Sequence, residues 1–586
     1  MTREEGQVTS ALVAAALASA VCCGCSQPAR EGAPTTPAGS RARTVTIIGT
    51  NDLHGALDRL PVFAGFVANV RAARAADGGG VLLVDAGDMF QGTLESNLAE
   101  GADVVAAYNQ LGYAAAAVGN HEFDYGPVGP QATVANPGDD PQSALKARIS
   151  EAAFPFVVTN ILDVRTGKRI TWKNSAASVI VDVAGIQVGV LGASTMLTPE
   201  TTMAANFLGL KMGRPTARYV VSEAQAVRAR GAEVVVLVSH IGGSCNRFDD
   251  PDDTASCDRS GELFSVLRDV PAGLIDVVVA GHVHGAIAHR IHGAAVIESY
   301  SSGRAFGRVD VRVAEHRIAG VAIHRPHMIC AHDSRNHAVP VAECHPAAYE
   351  GRAVAADPRM QQIVDAAIAR ADVRKSEKLG VTLPAPITRS YGTESVEGNW
   401  LTDLMLVAQP GAQIAMTNGG GLRADIPAGE LTYGQLYAAI PFDNRFALVH
   451  VEGRHIRQLV VANLQHRRGI LSWSGLTAKA RCSDGSLDVQ IEVRGEPLDD
   501  NRPYTLVTSD FLASGEDGLL GPLKLPPSAI AVTDVTIRDG IAAVLRGMSG
   551  QRIAIQPRAK GGQRRVDYAG KRPVRCSRAT SRAEEL

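Results

Sequence analysis

Five short apolar runs, each broken at its end by Asp, His or Asn, constrain this chain more than any other feature. TVTIIGT precedes Asp52 and His54, VLLVDAG precedes Asp88, AAAAVG precedes Asn120 and His121, VVVLVS precedes His240, and DVVVAG precedes His282 and His284. A run of about four to eight Val, Ile, Leu and Ala residues that stops at a Gly or polar loop reads as a buried strand. Open α/β sheets build their sites in the loops at the carboxyl ends of such strands. Five strand ends that all deliver metal-ligand side chains predict one polynuclear metal centre. A single His among the 16 in this chain would carry no such weight, and a lone Asp after a strand is often only a helix cap.

The donor types predict two divalent cations. A pair of metals about 3.5–4 Å apart needs a bridging ligand, and a carboxylate has two oxygens to offer. Asp88, alone in a Gly-Asp turn, is the expected bridge. Asp52 and His54, two residues apart, splay onto one ion, and Asn120, His240 and His282 serve the other. Imidazole, amide and carboxylate together suit zinc, manganese, iron or cobalt better than calcium. Such a centre supplies a hydroxide for attack near neutral pH and clamps a phosphoryl oxygen.

The strings NDLHG (51–55), GDMFQG (87–92), GNHEFD (119–124), SH (239–240) and GHVH (281–284) resemble those of the calcineurin-like metallophosphoesterases. The longer GDMFQGTLESN and GNHEFDYG are similar to the 5′-nucleotidase family, and the resemblance spans roughly residues 44–545. It implies an α/β fold: a four-layer αββα sandwich followed by a smaller α/β nucleoside-binding domain. It also implies that His121 is no ligand but acts at the leaving-group oxygen, oriented by Asp124. A carboxylate that fixes the tautomer and raises the basicity of an imidazole suits general-acid work. His284 stands where many members have Gln, and is assigned to the first ion.

A second stretch narrows the substrate. NGGGLR (418–423) sets three Gly before an Arg, which allows close backbone approach and bidentate phosphate recognition. The resemblance implies that Arg423 reaches the substrate phosphate and Asn418 the base. It also implies that Phe442 in IPFDN and Phe511 in SDFLASGEDG sandwich the base, and that Asp517 accepts from the ribose hydroxyls. Aromatic residues make up only 5% of the chain, so two Phe beside polar turns stand out. Two further positions depart from the family pattern: Tyr391 replaces an Arg, with Arg389 two residues earlier, and Glu516 replaces a common Gly.

The 586 residues exceed one hydrophobic core, which predicts two domains plus tails. Residues 1–25 read as a secretory or lipoprotein signal, with lipidation at Cys22 or Cys25, and 26–43 as a flexible linker. The metallophosphoesterase domain is expected over 44–325, and an irregular segment over 326–384 that contains one connecting helix from Asp357 to a Gly stop at 380. The substrate domain is placed at 385–545 and a basic tail at 546–586. Six Cys remain after the signal, an even number that suits an oxidising compartment. Fifteen pairings are possible; local pairing would give Cys245–Cys257, Cys330–Cys344 and Cys482–Cys576. A formal net charge of −2 gives no sign of nucleic-acid or membrane binding beyond the expected anchor. The expected function is an exported two-metal phosphohydrolase that removes the 5′-phosphate of nucleoside monophosphates. The alternatives are a 2′,3′-cyclic nucleotide phosphodiesterase, a UDP-sugar hydrolase or a thiosulfohydrolase on the same scaffold, or a non-catalytic surface-binding protein.

Overall fold

The structure is a computed structural model and describes residues 42–576, apart from 130–132, 135, 331–340, 467–468, 484, 516–517 and 549–563. The signal segment with Cys22 and Cys25, and Glu516 and Asp517, therefore lie outside the described residues.

All five apolar runs form strands, and they divide between two sheets. In the seven-stranded sheet, Arg43–Thr50 pairs in parallel with Gly80–Asp85, which pairs with Ala115–Ala117. In the six-stranded sheet, Val234–His240 lies between Ile186–Ser194 and Val277–Ala280, parallel to both. Every residue of Val234–His240 is buried, as a strand covered on both faces requires. The sheets face each other through Val45, Ile47, Val84, Val188, Val236, Val238 and Val279. The outer face of the first is covered by helices Leu60–Asp77 and Ala102–Leu111, which supply Phe63, Phe66 and Tyr108. Thr216–Ala229 and Glu262–Arg268 cover the second. The layers run α, β, β, α, as expected.

The connecting helix is shorter than the sequence reading. It spans Pro358–Lys375, and the Asp357 side chain caps it by accepting from the Met360 N–H at 2.7 Å. Residues Lys378–Leu383 form a strand paired with Gly429–Thr432 instead of the last helical turn. The reason is periodicity: Leu379, Val381 and Leu383 alternate with polar or exposed residues and enter the second domain's core, a period of two that defeats the helical reading. The helix itself bridges the cores. Met360, Val364 and Ala367 pack in the first, and Ala371 in the second.

In the second domain a five-stranded sheet runs Leu471–Ser474, Ile414–Asn418, Pro503–Ser509, Arg445–Glu452, Ile530–Thr536. Helices Val396–Ala408, Tyr433–Ala439 and Ile537–Gly547 share one core, and Gly453–Gln465 packs with a second, four-stranded sheet in another. The basic tail needs correction. Val566–Tyr568 adds a strand in parallel to Leu476–Ser483, and Val566, Tyr568 and Val574 are buried. Arg565 is also buried and donates to Asp403 and to the Trp473 carbonyl. Apolar residues spaced through a basic segment were enough to bring it back to the core.

The three disulfides are Cys245–Cys257, Cys330–Cys344 and Cys482–Cys576. The last spans 94 residues and ties the returning tail to the domain. Replacing both its cysteines by Ser is expected to lower unfolding stability by about 2–5 kcal/mol, read from the denaturant midpoint. Among the described residues, no helix is long and apolar enough to cross a membrane.

Candidate active site

The two sheets place the five strand ends at one edge, and the seven candidate ligands meet there. Asp52, His54 and His284 form one trio and Asp88, His240 and His282 another, the donor atoms within each lying within 4.8 Å of one another. His284 Nε2 is 2.9 Å from His54 Nε2 and 3.4 Å from Asp52 Oδ1. His240 Nε2 is 3.0 Å from both Asp88 Oδ2 and Asn120 Oδ1, and Asn120 Oδ1 is also 3.0 Å from His282 Nδ1. The trios interlock, because the His282 main-chain N–H donates to Asp52.

Hydrogen bonds behind the ring decide which nitrogen faces inward. His54 Nδ1 donates to the Gln91 carbonyl at 2.8 Å and His240 Nδ1 to the Ala86 carbonyl at 2.9 Å. A carbonyl can only accept, so each neutral ring turns its Nε2 lone pair to the cluster. Asn120 Nδ2 donates to the Thr201 carbonyl at 3.0 Å, which turns its oxygen inward. Lone pairs therefore converge on lone pairs, an arrangement that fits divalent cations and the nitrogen–oxygen donor set they take. The electrostatics agree. Burial opposes a charge on His240, yet the carboxylates of Asp88, Asp52 and Glu122 push its pKa up to about 10. Burial would raise Asp52, but His284 and His240 hold it at about 2. Positive charge is drawn to His240, whereas burial and the neighbouring imidazoles hold His54 well below the usual range and His282 down at about 4.

The backbone is bent to deliver these groups. Asp52, His54, Asp88, His282 and His284 all have positive φ, between 50° and 83°. The left-handed region costs an L-residue roughly 1–2 kcal/mol, and Asp, Asn and His enter it more readily than most. Such strain concentrated at one place marks a functional site. Gly119 is required by close approach: a Cβ there would lie 2.2 Å from Asp88 Oδ1.

His121 stands beside the trios without joining them. Its Nδ1 is 2.6 Å from Asp124 Oδ2, so Nε2 is left facing the cleft. Burial works against its charged form, but Asp124 and Asp88 outweigh that and raise its pKa. A cavity of about 180 Å³ opens against this dyad. The second domain supplies its opposite wall with Asn418, Arg423, Phe442 and Phe511. Asn418 ends strand Ile414–Asn418, and Gly419–Gly421 turn the chain so that Arg423 points in. The Arg423 guanidinium lies 5.6 Å from the Phe442 ring centre, which is itself 5.6 Å from the His121 ring. Arg538 fixes the Phe442 loop by donating to the Ile440 and Phe442 carbonyls and pairing with Asp443. Arg389 lies beside the Arg423 loop and donates to the Leu422 carbonyl, whereas Tyr391 is exposed and rests on Gly469.

Sequence reasoning missed residues that act through others. Thr202 Oγ donates to Asp124 Oδ1 at 2.9 Å, on the carboxylate that holds His121. Gln91 links the domains: its carbonyl accepts from His54 and its Nε2 donates to the Pro441 carbonyl at 3.3 Å. Asn97 and Tyr125 also line the cavity and bond each other. No residue-level signal marks Thr202, which comes from a loop after Ile186–Ser194 with no motif of its own. Thr202→Val is expected to lower kcat by roughly 3–10-fold with KM nearly unchanged, because about 1 kcal/mol of orientation is lost. Steady-state kinetics check this.

Residues 45–286 match the calcineurin-like phosphoesterase family, and residues 368–522 the 5′-nucleotidase C-terminal domain. The chain belongs to the 5′-nucleotidase family of metallophosphoesterases. Members of this family are hydrolases that use divalent metals. The chain is 24% identical over 505 residues to Protein UshA of Yersinia enterocolitica, covering 81% of this chain and 86% of that protein. The 5′-nucleotidase precursor of Thermus thermophilus has the same fold, with a TM-score of 0.65 at 22% identity over 89% of this chain and 99% of its own. The sulfate thiohydrolase SoxB of Thermus thermophilus superposes with a TM-score of 0.63 at 16% identity over 92% and 98%. One scaffold thus carries both names, so the second domain's side of the cleft has to be read for the substrate.

Proposed function

We propose that this protein is an exported 5′-nucleotidase that hydrolyses nucleoside monophosphates to nucleoside and phosphate. The observation that carries the reading is a single cavity joining His121 and Asp124 to Asn418, Arg423, Phe442 and Phe511. In it a phosphate would lie against His121 and Arg423, and a base against Phe442 and Phe511. Asp52, His54 and His284 would hold one divalent cation, and Asp88, Asn120, His240 and His282 the other. When bound, such a pair lowers the pKa of water and neutralises charge on the phosphoryl oxygens. The residues of the chain do the rest. Arg423 grips phosphate oxygens with its planar fork. His121 Nε2 gives a proton to the departing ribose oxygen, while Asp124 holds Nδ1–H. Phe442 and Phe511 stack the base, worth about 1–3 kcal/mol per base and tolerant of base identity. Phe511→Ala is therefore expected to raise KM for AMP roughly tenfold and leave kcat near its original value. Export is supported by the three disulfides and by the apolar run and Cys residues near the N-terminus.

The test is a substrate panel of AMP, UDP-glucose, cyclic AMP isomers and a thiosulfate ester, with metal-stripped protein and metal add-back. Phosphate release from AMP that depends on added metal is expected. No phosphate from any nucleoside monophosphate would sink the reading.

A further inference from the structure

Glu122 lies between the motif residues His121 and Asp124, is 1% exposed, and has no part in the mechanism above. Its carboxylate faces backbone. Oε2 accepts from the Asp88 N–H at 2.9 Å and the Gly119 N–H at 2.6 Å, and Oε1 from the Met89 N–H at 2.8 Å. The Asp88 N–H belongs to the peptide before Asp88, and the Met89 N–H to the peptide after it. Gripping both peptide planes fixes φ and ψ of the residue between them. Asp88 is one of the left-handed residues, with φ 57°. The third bond reaches the strand end that carries Asn120. That end is tied back to the same place, because the His121 N–H donates to Asp88 Oδ1 at 2.9 Å.

We propose that Glu122 is a positioning residue: it holds Asp88 in its left-handed conformation and locks the Asp88 and Asn120 loops in one register, so that both present their oxygens to the same cation. This rests on the ligand assignment above. Glu122 is no ligand itself, since both oxygens are turned to N–H groups. An ionised carboxylate suits three donors. A carboxamide offers one acceptor oxygen and turns an NH₂ against an N–H, so at least one buried donor loses its partner. Groups that orient a metal ligand typically alter metal affinity by about 10–100-fold when removed.

The experiment titrates Mn²⁺ into metal-stripped full-length wild type, Glu122→Gln and Glu122→Asp, with occupancy read by metal analysis and folding by circular dichroism. Folded Glu122→Gln is expected to need about 10–100-fold more free Mn²⁺ for half occupancy. At saturating Mn²⁺ its kcat for AMP should be lowered while KM stays near the wild-type value. An unshifted Mn²⁺ curve overturns the proposal. If the Gln variant does not fold, Glu122→Asp, which keeps the charge on a shorter arm, decides by the same curve. Amide exchange in metal-free wild type needs no variant: slow exchange at Asp88, Met89 and Gly119 is expected, and fast exchange at these three overturns the proposal. Occupancy and exchange are read without substrate, so a protein that fails to hydrolyse AMP would sink the nucleotidase reading and leave this one standing.

Discussion

Asp88→Asn is expected to abolish hydrolysis, with kcat down on the order of 10³-fold or more. Asp88 Oδ2 lies 3.0 Å from His240 Nε2, while Oδ1 accepts from the His121 N–H. The carboxylate thus touches a candidate ligand and the peptide of the candidate acid at once. A carboxamide keeps the shape but removes the charge, and its NH₂ faces either an imidazole lone pair or an N–H. The surrounding His and Asp groups then share one negative charge fewer, which weakens the hold on a divalent cation. Metal analysis should show less than the wild-type content after dialysis, and AMP turnover should fall with it. Full activity in this variant would mean that the two-cation assignment is wrong.

Arg423→Ala is expected to lower kcat/KM for AMP by about 10²–10³-fold, or about 3–4 kcal/mol, with metal content unchanged. Burial disfavours the guanidinium charge, and no hydrogen bond or ion pair to a carboxylate is seen for it among the described residues. Asp88, Asp52 and Asp124 stabilise that charge from across the cavity. A half-buried cation facing an open cleft is arranged for an anion that arrives. Lys should recover little, because a point charge cannot reproduce a bidentate fork. If Arg423→Ala turned over AMP like the wild type, the phosphate would have to be bound elsewhere, with Arg389 beside that loop as another cation.

These two variants probe parts of the site that were unequally legible. All the strand ends, and with them Asp52, His54, Asp88, Asn120, His240, His282 and His284, were readable because buried parallel strands are near-continuous apolar runs and the residue that breaks each run is adjacent in sequence. The helix reading of 357–380 failed at its end because buried Leu379, Val381 and Leu383 alternate with Lys378, Gly380 and Thr382, and pairing with Gly429–Thr432 decided the matter. The stretch 564–576 read only as part of a basic tail because its charge dominates its composition, while Val566, Tyr568 and Val574 find a core only after folding.

By itself the sequence determined the strands, the Asp, His and Asn residues at their ends and the chemistry those donor types permit. That information is local: a side chain's chemistry and its distance from the end of an apolar run are both written within a few residues. The tertiary structure alone decided which ring nitrogen faces inward, that Thr202 and Glu122 steady Asp124 and Asp88, and that Arg423 and Phe442 close over His121. Each of these depends on a hydrogen bond or contact between segments far apart in the chain, and sets geometry that no single segment holds on its own.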